Sequence, residues 1–197
     1  MRREQTEFHI LPILTLIFKS REGENSMEDK VSVRLSGIAY ESLVNGPGIR
    51  RVLFSQGCKH NCKGCFNPDT HSFEGGREFS ADYLVEDILK NPMLKGVTFS
   101  GGDPLEQADK FAYIAERLKR HGLNVWSYTG YTFEYIVKQA ANMKDWQKLL
   151  DNIDVLVDGR FECDKSIEGL KFRGSSNQRI VDVKKSLATG KVVTMEY

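Results

Sequence analysis

Cysteine is scarce in this chain of 197 residues: there are four. A chain this long can bury a core without crosslinks, and four thiols are too few for a disulfide scaffold. Neither sign of charge is in excess, since 28 Lys and Arg stand against 27 Asp and Glu, a formal net charge of +1. That balance disfavours nucleic acid as a partner, and there is no acidic tail. The apolar run Phe8 to Phe18 is interrupted by Pro12 and falls short of the roughly 20 residues that cross a bilayer. No internal repeat or low-complexity tract is present. With 40% hydrophobic and 28% charged residues, the remainder reads as one ordinary soluble globular domain, with no membrane association.

Three of the four cysteines stand close together, Cys58, Cys62 and Cys65, spaced C-x3-C-x2-C. A structural zinc site normally has four ligands, often as two C-x2-C pairs. The fourth cysteine, Cys163, is far along the chain and reads as an incidental thiol. His60 or His71 could complete a zinc site, although His60 reads rather as a solvated side chain of the loop. The favoured reading is a 4Fe–4S cluster held at three corners. One iron then keeps an open position for a substrate or cofactor.

Residues 1–26 read as a non-native or disordered N-terminal extension, with Met27 as the natural start and 27–197 as a single domain. Arg2 and Arg3 before the apolar run resemble a signal peptide, but Lys19-Ser20-Arg21-Glu22 offers no small-residue cleavage site. Arg21-Glu22-Gly23-Glu24 would be encoded by purine-rich codons, as a ribosome-binding site before Met27 would be. An oxygen-sensitive cluster further predicts a cytoplasmic location.

From Val31 onward, strand-like and helix-like patterns alternate. Short apolar runs predict strands at Arg51–Ser55, Gly96–Ser100, Asn124–Tyr128 and Ile153–Val157. Between them, Leu84, Val85, Ile88 and Leu89 form a helical stripe after Ser80 and before Pro92. Ala108, Phe111, Ile114, Ala115 and Leu118 form another that stops at Gly122. Phe133, Ile136 and Val137, then Trp146, Leu149 and Leu150, continue the pattern. Strand, loop, helix in repetition predicts an α/β fold: a parallel sheet with helices outside, closed as a partial (β/α) barrel. The chain is too short for the full eightfold barrel of about 250 residues.

The Gly-rich and polar segments all follow strand ends, the ligand-binding edge of parallel α/β folds. The cysteine loop, Gly101-Gly102, Thr129-Gly130 and Asp158-Gly159-Arg160 are therefore expected to converge. Each glycine pair alone could be only a turn. Residues without Cβ also let main-chain carbonyls approach an ammonium group. Arg160 could take a carboxylate, with Asp158 orienting it. The donor-rich segment Phe172 to Arg179 reads either as a polar loop or as a grip on a ligand or partner.

Taken together, these residues resemble a known family. Cys58-x3-Cys62-x2-Cys65 after a strand, followed by Ser100-Gly101-Gly102-Asp103-Pro104, is similar to radical S-adenosylmethionine (SAM) enzymes. Asn45 to Arg50, Gln56 to Cys58, Cys62 to Pro68, Tyr128 to Tyr131, Leu156 to Phe161 and Arg173 to Gln178 together resemble the anaerobic ribonucleoside-triphosphate reductase activases. Phe66 stands where that family often has Tyr. The resemblance implies a 4Fe–4S cluster on Cys58, Cys62 and Cys65, with SAM chelated at the open iron. It implies that the backbone of Gly101 and Gly102 meets the SAM amino group, and that Gly64 and Phe66 flank the adenine around Cys65. Thr129, Asp158 and Arg160 would lie near the methionine moiety. Reductive cleavage would give a 5′-deoxyadenosyl radical that takes hydrogen from a glycine of the reductase catalytic subunit. The electron would come from a low-potential donor such as flavodoxin or ferredoxin. The competing readings are a radical SAM enzyme with another substrate and a non-catalytic metal-binding module.

Overall fold

The computed structural model describes residues 31–197; the predicted N-terminal extension, residues 1–26, lies outside the described residues. Seven strands form one sheet: β1 (Ser32–Ser42), β2 (Arg50–Ser55), β3 (Arg77–Ser80), β4 (Gly96–Gly101), β5 (Asn124–Tyr128), β6 (Val155–Asp158) and β7 (Arg179–Asp182). Their spatial order is β3-β1-β2-β4-β5-β6-β7. The centre, β2-β4-β5-β6, is parallel. The flanks are antiparallel: β1 against β2 and β3, and β7 against β6. The sheet is thus mixed, which corrects the expectation of an all-parallel one.

Among the described residues five α-helices accompany it: α1 (Ala81–Leu89), α2 (Ala108–Arg120), α3 (Phe133–Ala140), α4 (Lys144–Asn152) and α5 (Val183–Thr189). Three of the five, α1, α3 and α5, start on a side-chain cap. The side chains of Ser80, Thr132 and Asp182 accept from the backbone N–H groups of Tyr83, Tyr135 and Lys185. At the end of α2, Gly122 takes φ +77°, and Leu123 N–H returns to the Leu118 carbonyl, closing the helix with a left-handed glycine. All five residues of the predicted α2 stripe are buried.

Residue alternation divides the sheet's two faces. Leu53, Val97, Phe99, Val125 and Leu156 join buried residues of all five helices in the main core. Trp126, Val155, Val157 and Ile180 form a smaller cluster on the opposite face, packed with Tyr128, Phe172 and Met195. Arg50 is 1% exposed and reaches across that second face, where it donates to Thr98 Oγ1 (2.7 Å) and the carbonyls of Val97 and Asn124. Burial lowers its pKa to about 10. At the sheet's margins, β3 has four residues. The outer side of β7 is joined by the C-terminal segment, through Asp182 N–H to Val193 and Met195 N–H to Ile180. Among the described residues no helix is long and apolar enough to cross a membrane.

Candidate metal and cofactor site

A cleft of about 470 Å³ opens at the C-terminal ends of the parallel strands. Phe54, Ser100 and Tyr128, alternating away from the helical core, form part of its wall. The loop after β2 brings Cys58, Cys62 and Cys65 to the same cleft, joined by Gly101, Gly102, Thr129 and Phe66. Strand ends distant in sequence therefore supply one site. Asp158 and Arg160 are not among the lining residues, and neither is Gly64.

The cysteine loop is closed at its base by backbone bonds from Gly57 N–H to Thr70 and from Cys58 N–H to His71. Asn67 N–H points at the Cys65 sulfur, 3.4 Å away. Burial pushes the Cys58 thiol up to about 11, partly opposed by the N–H groups of His60 and Asn61. Gly64 has φ +74°, and a Cβ there would lie 3.2 Å from the Cβ of Cys163. Cys163 is exposed, yet the fold brings it beside the cysteine loop.

Gly101 and Gly102 are required by packing as well as by the cleft. A Cβ on Gly101, at φ +92°, would meet the Phe54 and Ser55 backbone at 2.8 Å. One on Gly102 would meet the Gly57 carbonyl oxygen at 2.4 Å. Gly102 N–H donates to Ser55, and Asp103 N–H to Gly57, at 2.8 and 2.9 Å. The glycine pair thus docks β4 against the root of the cysteine loop.

Asp103, beyond the glycines, was not singled out from sequence. It is fully buried. Its Oδ1 accepts Leu105 N–H (3.0 Å), and its Oδ2 accepts the Thr129 hydroxyl (2.8 Å), Gly130 N–H (3.1 Å) and His60 Nε2 (2.8 Å). His60 is not the solvated side chain expected from sequence: 9% of its side chain is exposed, and its ring meets Tyr131 edge-on. The local pattern carries no signal for this, because the partners come from separate strand ends.

Asp158 faces the helical side. It accepts Phe133 N–H at the start of α3 (2.7 Å) and pairs with Arg179 rather than Arg160. Arg160 donates to the His60 carbonyl. The donor-rich segment is largely stitched to itself and to the loop after β6. Gln178 accepts from the N–H groups of Gly174 and Ser175 and donates to Gly159, while Arg173, Gly174 and Gln178 face the cleft.

The donor set fits an iron–sulfur cluster. Three thiols line the cleft and no carboxylate does, among the described residues, and soft thiolates are the usual ligands of such clusters. Also among the described residues, no three His, Cys, Asp or Glu side chains gather closely enough to chelate a single metal ion. Cys58, Cys62 and Cys65 would be the residues to hold an iron–sulfur cluster.

The sequence matches the family model of the 4Fe-4S single cluster domain over residues 44–181. It is similar to the anaerobic ribonucleoside-triphosphate reductase-activating protein of Vibrio cholerae, 40% identical over 148 residues, covering 70% of this chain and 90% of that protein. The protein of the same name from Escherichia coli K12 is 36% identical over 144 residues, 69% and 90% of the two chains. That of Enterobacteria phage T4 is 36% identical over 145 residues, 70% and 86%. The thiol-lined cleft lies within the matched span, and with relatives this similar along most of their length the chain belongs to the family of anaerobic ribonucleoside-triphosphate reductase-activating proteins.

Proposed function

We propose that the chain is the iron–sulfur, SAM-dependent activase of an anaerobic ribonucleoside-triphosphate reductase. The observation that carries this reading is the meeting of three thiols and the Gly101-Gly102 backbone on one cleft. Cys58, Cys62 and Cys65 would hold the cluster, and Gly101 and Gly102 would present carbonyls to the SAM amino group. Gly64 and Phe66 would flank the adenine; Phe66 is 69% exposed and rests against Phe161, a ready aromatic surface. When bound, the cluster and SAM supply a one-electron cleavage whose product takes hydrogen from a glycine of the reductase.

The protein's part is to bind, orient and keep water away. Thr129 is held by Asp103 and would help shape the methionine pocket. Arg160 would have to release the His60 carbonyl to take the SAM carboxylate. Asp158, occupied by Arg179 and by the N-terminus of α3, would act by steadying the loop that carries Arg160. The same reading treats the four parallel strands and their helices as the partial (β/α) barrel of radical SAM enzymes. It also implies a cytoplasmic protein served by a low-potential donor such as flavodoxin or ferredoxin.

The test is anaerobic reconstitution with iron and sulfide, then addition of dithionite and SAM. 5′-Deoxyadenosine is expected; cluster without product would refute the enzyme. Addition of the reductase should then give a glycyl radical signal by electron paramagnetic resonance, and its absence would reassign the substrate.

A further inference from the structure

We infer that His60 and Asp103 form a buried clamp that fixes the cysteine loop against the strand ends, and that retention of the cluster depends on it. The inference rests on the reading that Cys58, Cys62 and Cys65 hold that cluster. His60 sits midway between Cys58 and Cys62, so anchoring its ring sets the path of the backbone that presents both thiols.

The anchor is a carboxylate withdrawn from water: Asp103 has no exposed surface. Such a group is tolerated in a protein interior only when its oxygens are bonded. Capping the helical turn Pro104–Gln107 accounts for Oδ1, through Leu105 N–H alone. Oδ2 gathers three further donors, two from the end of β5 and one from the cysteine loop. A cap would not need them. Asp103 therefore ties the end of β5 and the cysteine loop together at one atom, beside the glycine pair that docks onto Gly57.

A second observation is independent of these hydrogen bonds. A Cβ on Gly130 would lie 2.4 Å from the His60 ring. The ring has room only because residue 130 lacks a side chain, and Tyr131 closes its other side with ring centroids 4.3 Å apart. The cysteine loop is held again by Arg160 at the His60 carbonyl. The imidazole is thus a positioning group with a built socket.

Four proteins, the parent and its His60→Phe, His60→Gln and Gly130→Ala variants, would be reconstituted anaerobically with iron and sulfide. Iron release to a chelator would then be timed by visible absorbance. His60→Phe keeps the ring bulk and removes the donor. It should release iron at least about 10-fold faster, in the range seen when groups that orient metal ligands are removed. Gly130→Ala should do likewise by displacing the ring. His60→Gln restores an N–H donor and should recover most of the retention and the parent's reduced-cluster resonance spectrum. Parent-like release from both His60→Phe and Gly130→Ala, or no recovery by His60→Gln, would overturn the clamp. Should His60→Phe fail to fold, the other two variants decide alone. A parent that takes up no cluster would instead overturn the cluster reading itself, and the inference with it.

Discussion

Four thiols divide three to one by position. Cys58, Cys62 and Cys65 line the cleft; Cys163 is exposed, and the atom it places closest to where a Gly64 side chain would stand is its Cβ, which alanine retains. Cys58→Ala, Cys62→Ala and Cys65→Ala should each abolish 5′-deoxyadenosine formation, while Cys163→Ala should leave it near the parent level, both read by chromatography of quenched reactions. The glycines predict stability effects. Gly102→Ala forces a Cβ against the Gly57 carbonyl, so the cluster-free protein should lose about 1–3 kcal/mol, the usual cost of overpacking, in urea unfolding. Arg50→Ala would leave the Val97 and Asn124 carbonyls and Thr98 without their buried donor. A loss of roughly 3 kcal/mol is expected from the same measurement. At this scale the sequence was legible wherever chemistry is local. The thiol spacing was readable; the roles of Asp103 and His60 were not, because their partners lie 26 to 43 residues apart.

Elements are joined by a second carboxylate, Asp154, just before β6. It takes the Lys119 ammonium of α2 (2.6 Å), Val125 N–H of β5 (2.8 Å) and Lys184 of α5 (3.3 Å). Burial pulls its carboxyl upward, but Lys119, the Val125 N–H and Lys184 outweigh this, and the net shift is downward. A lowered folded-state pKa stabilises the fold above the ordinary aspartate range, and that stability is lost as pH falls through it. The urea midpoint of the parent should therefore drop on acidification below about pH 4, and Asp154→Asn should flatten that drop. An unchanged acid slope in the variant would place the sensitivity elsewhere. The central βα units were readable because 3.6-residue stripes and short apolar runs alternate. The antiparallel flanks were not. β1 mixes Ser, Gly and charged residues and carries two register shifts against β2, and β3 and β7 have four residues each, too few to show alternation.

The whole molecule keeps its core apart from its chemistry. The main core draws on the sheet and all five helices and includes no cysteine. Removal of iron should therefore leave a folded protein with parent-like far-ultraviolet circular dichroism. Reloading should raise the melting temperature, since a group bound only by the native state stabilises it. A chain that unfolds when stripped of iron would show that the cluster organises the fold rather than occupying it. The sheet's margins have a further consequence. At one margin β3 is four residues long, bears Arg77 and Glu78 and covers only Ser32–Leu35 of β1, whose remainder pairs with β2 alone; the other margin lies under the C-terminal segment. Short, charged or covered edges offer little template for cross-chain strand pairing, so any aggregation of concentrated, metal-free preparations through the sheet should run along the far half of β1 rather than along β3 or β7.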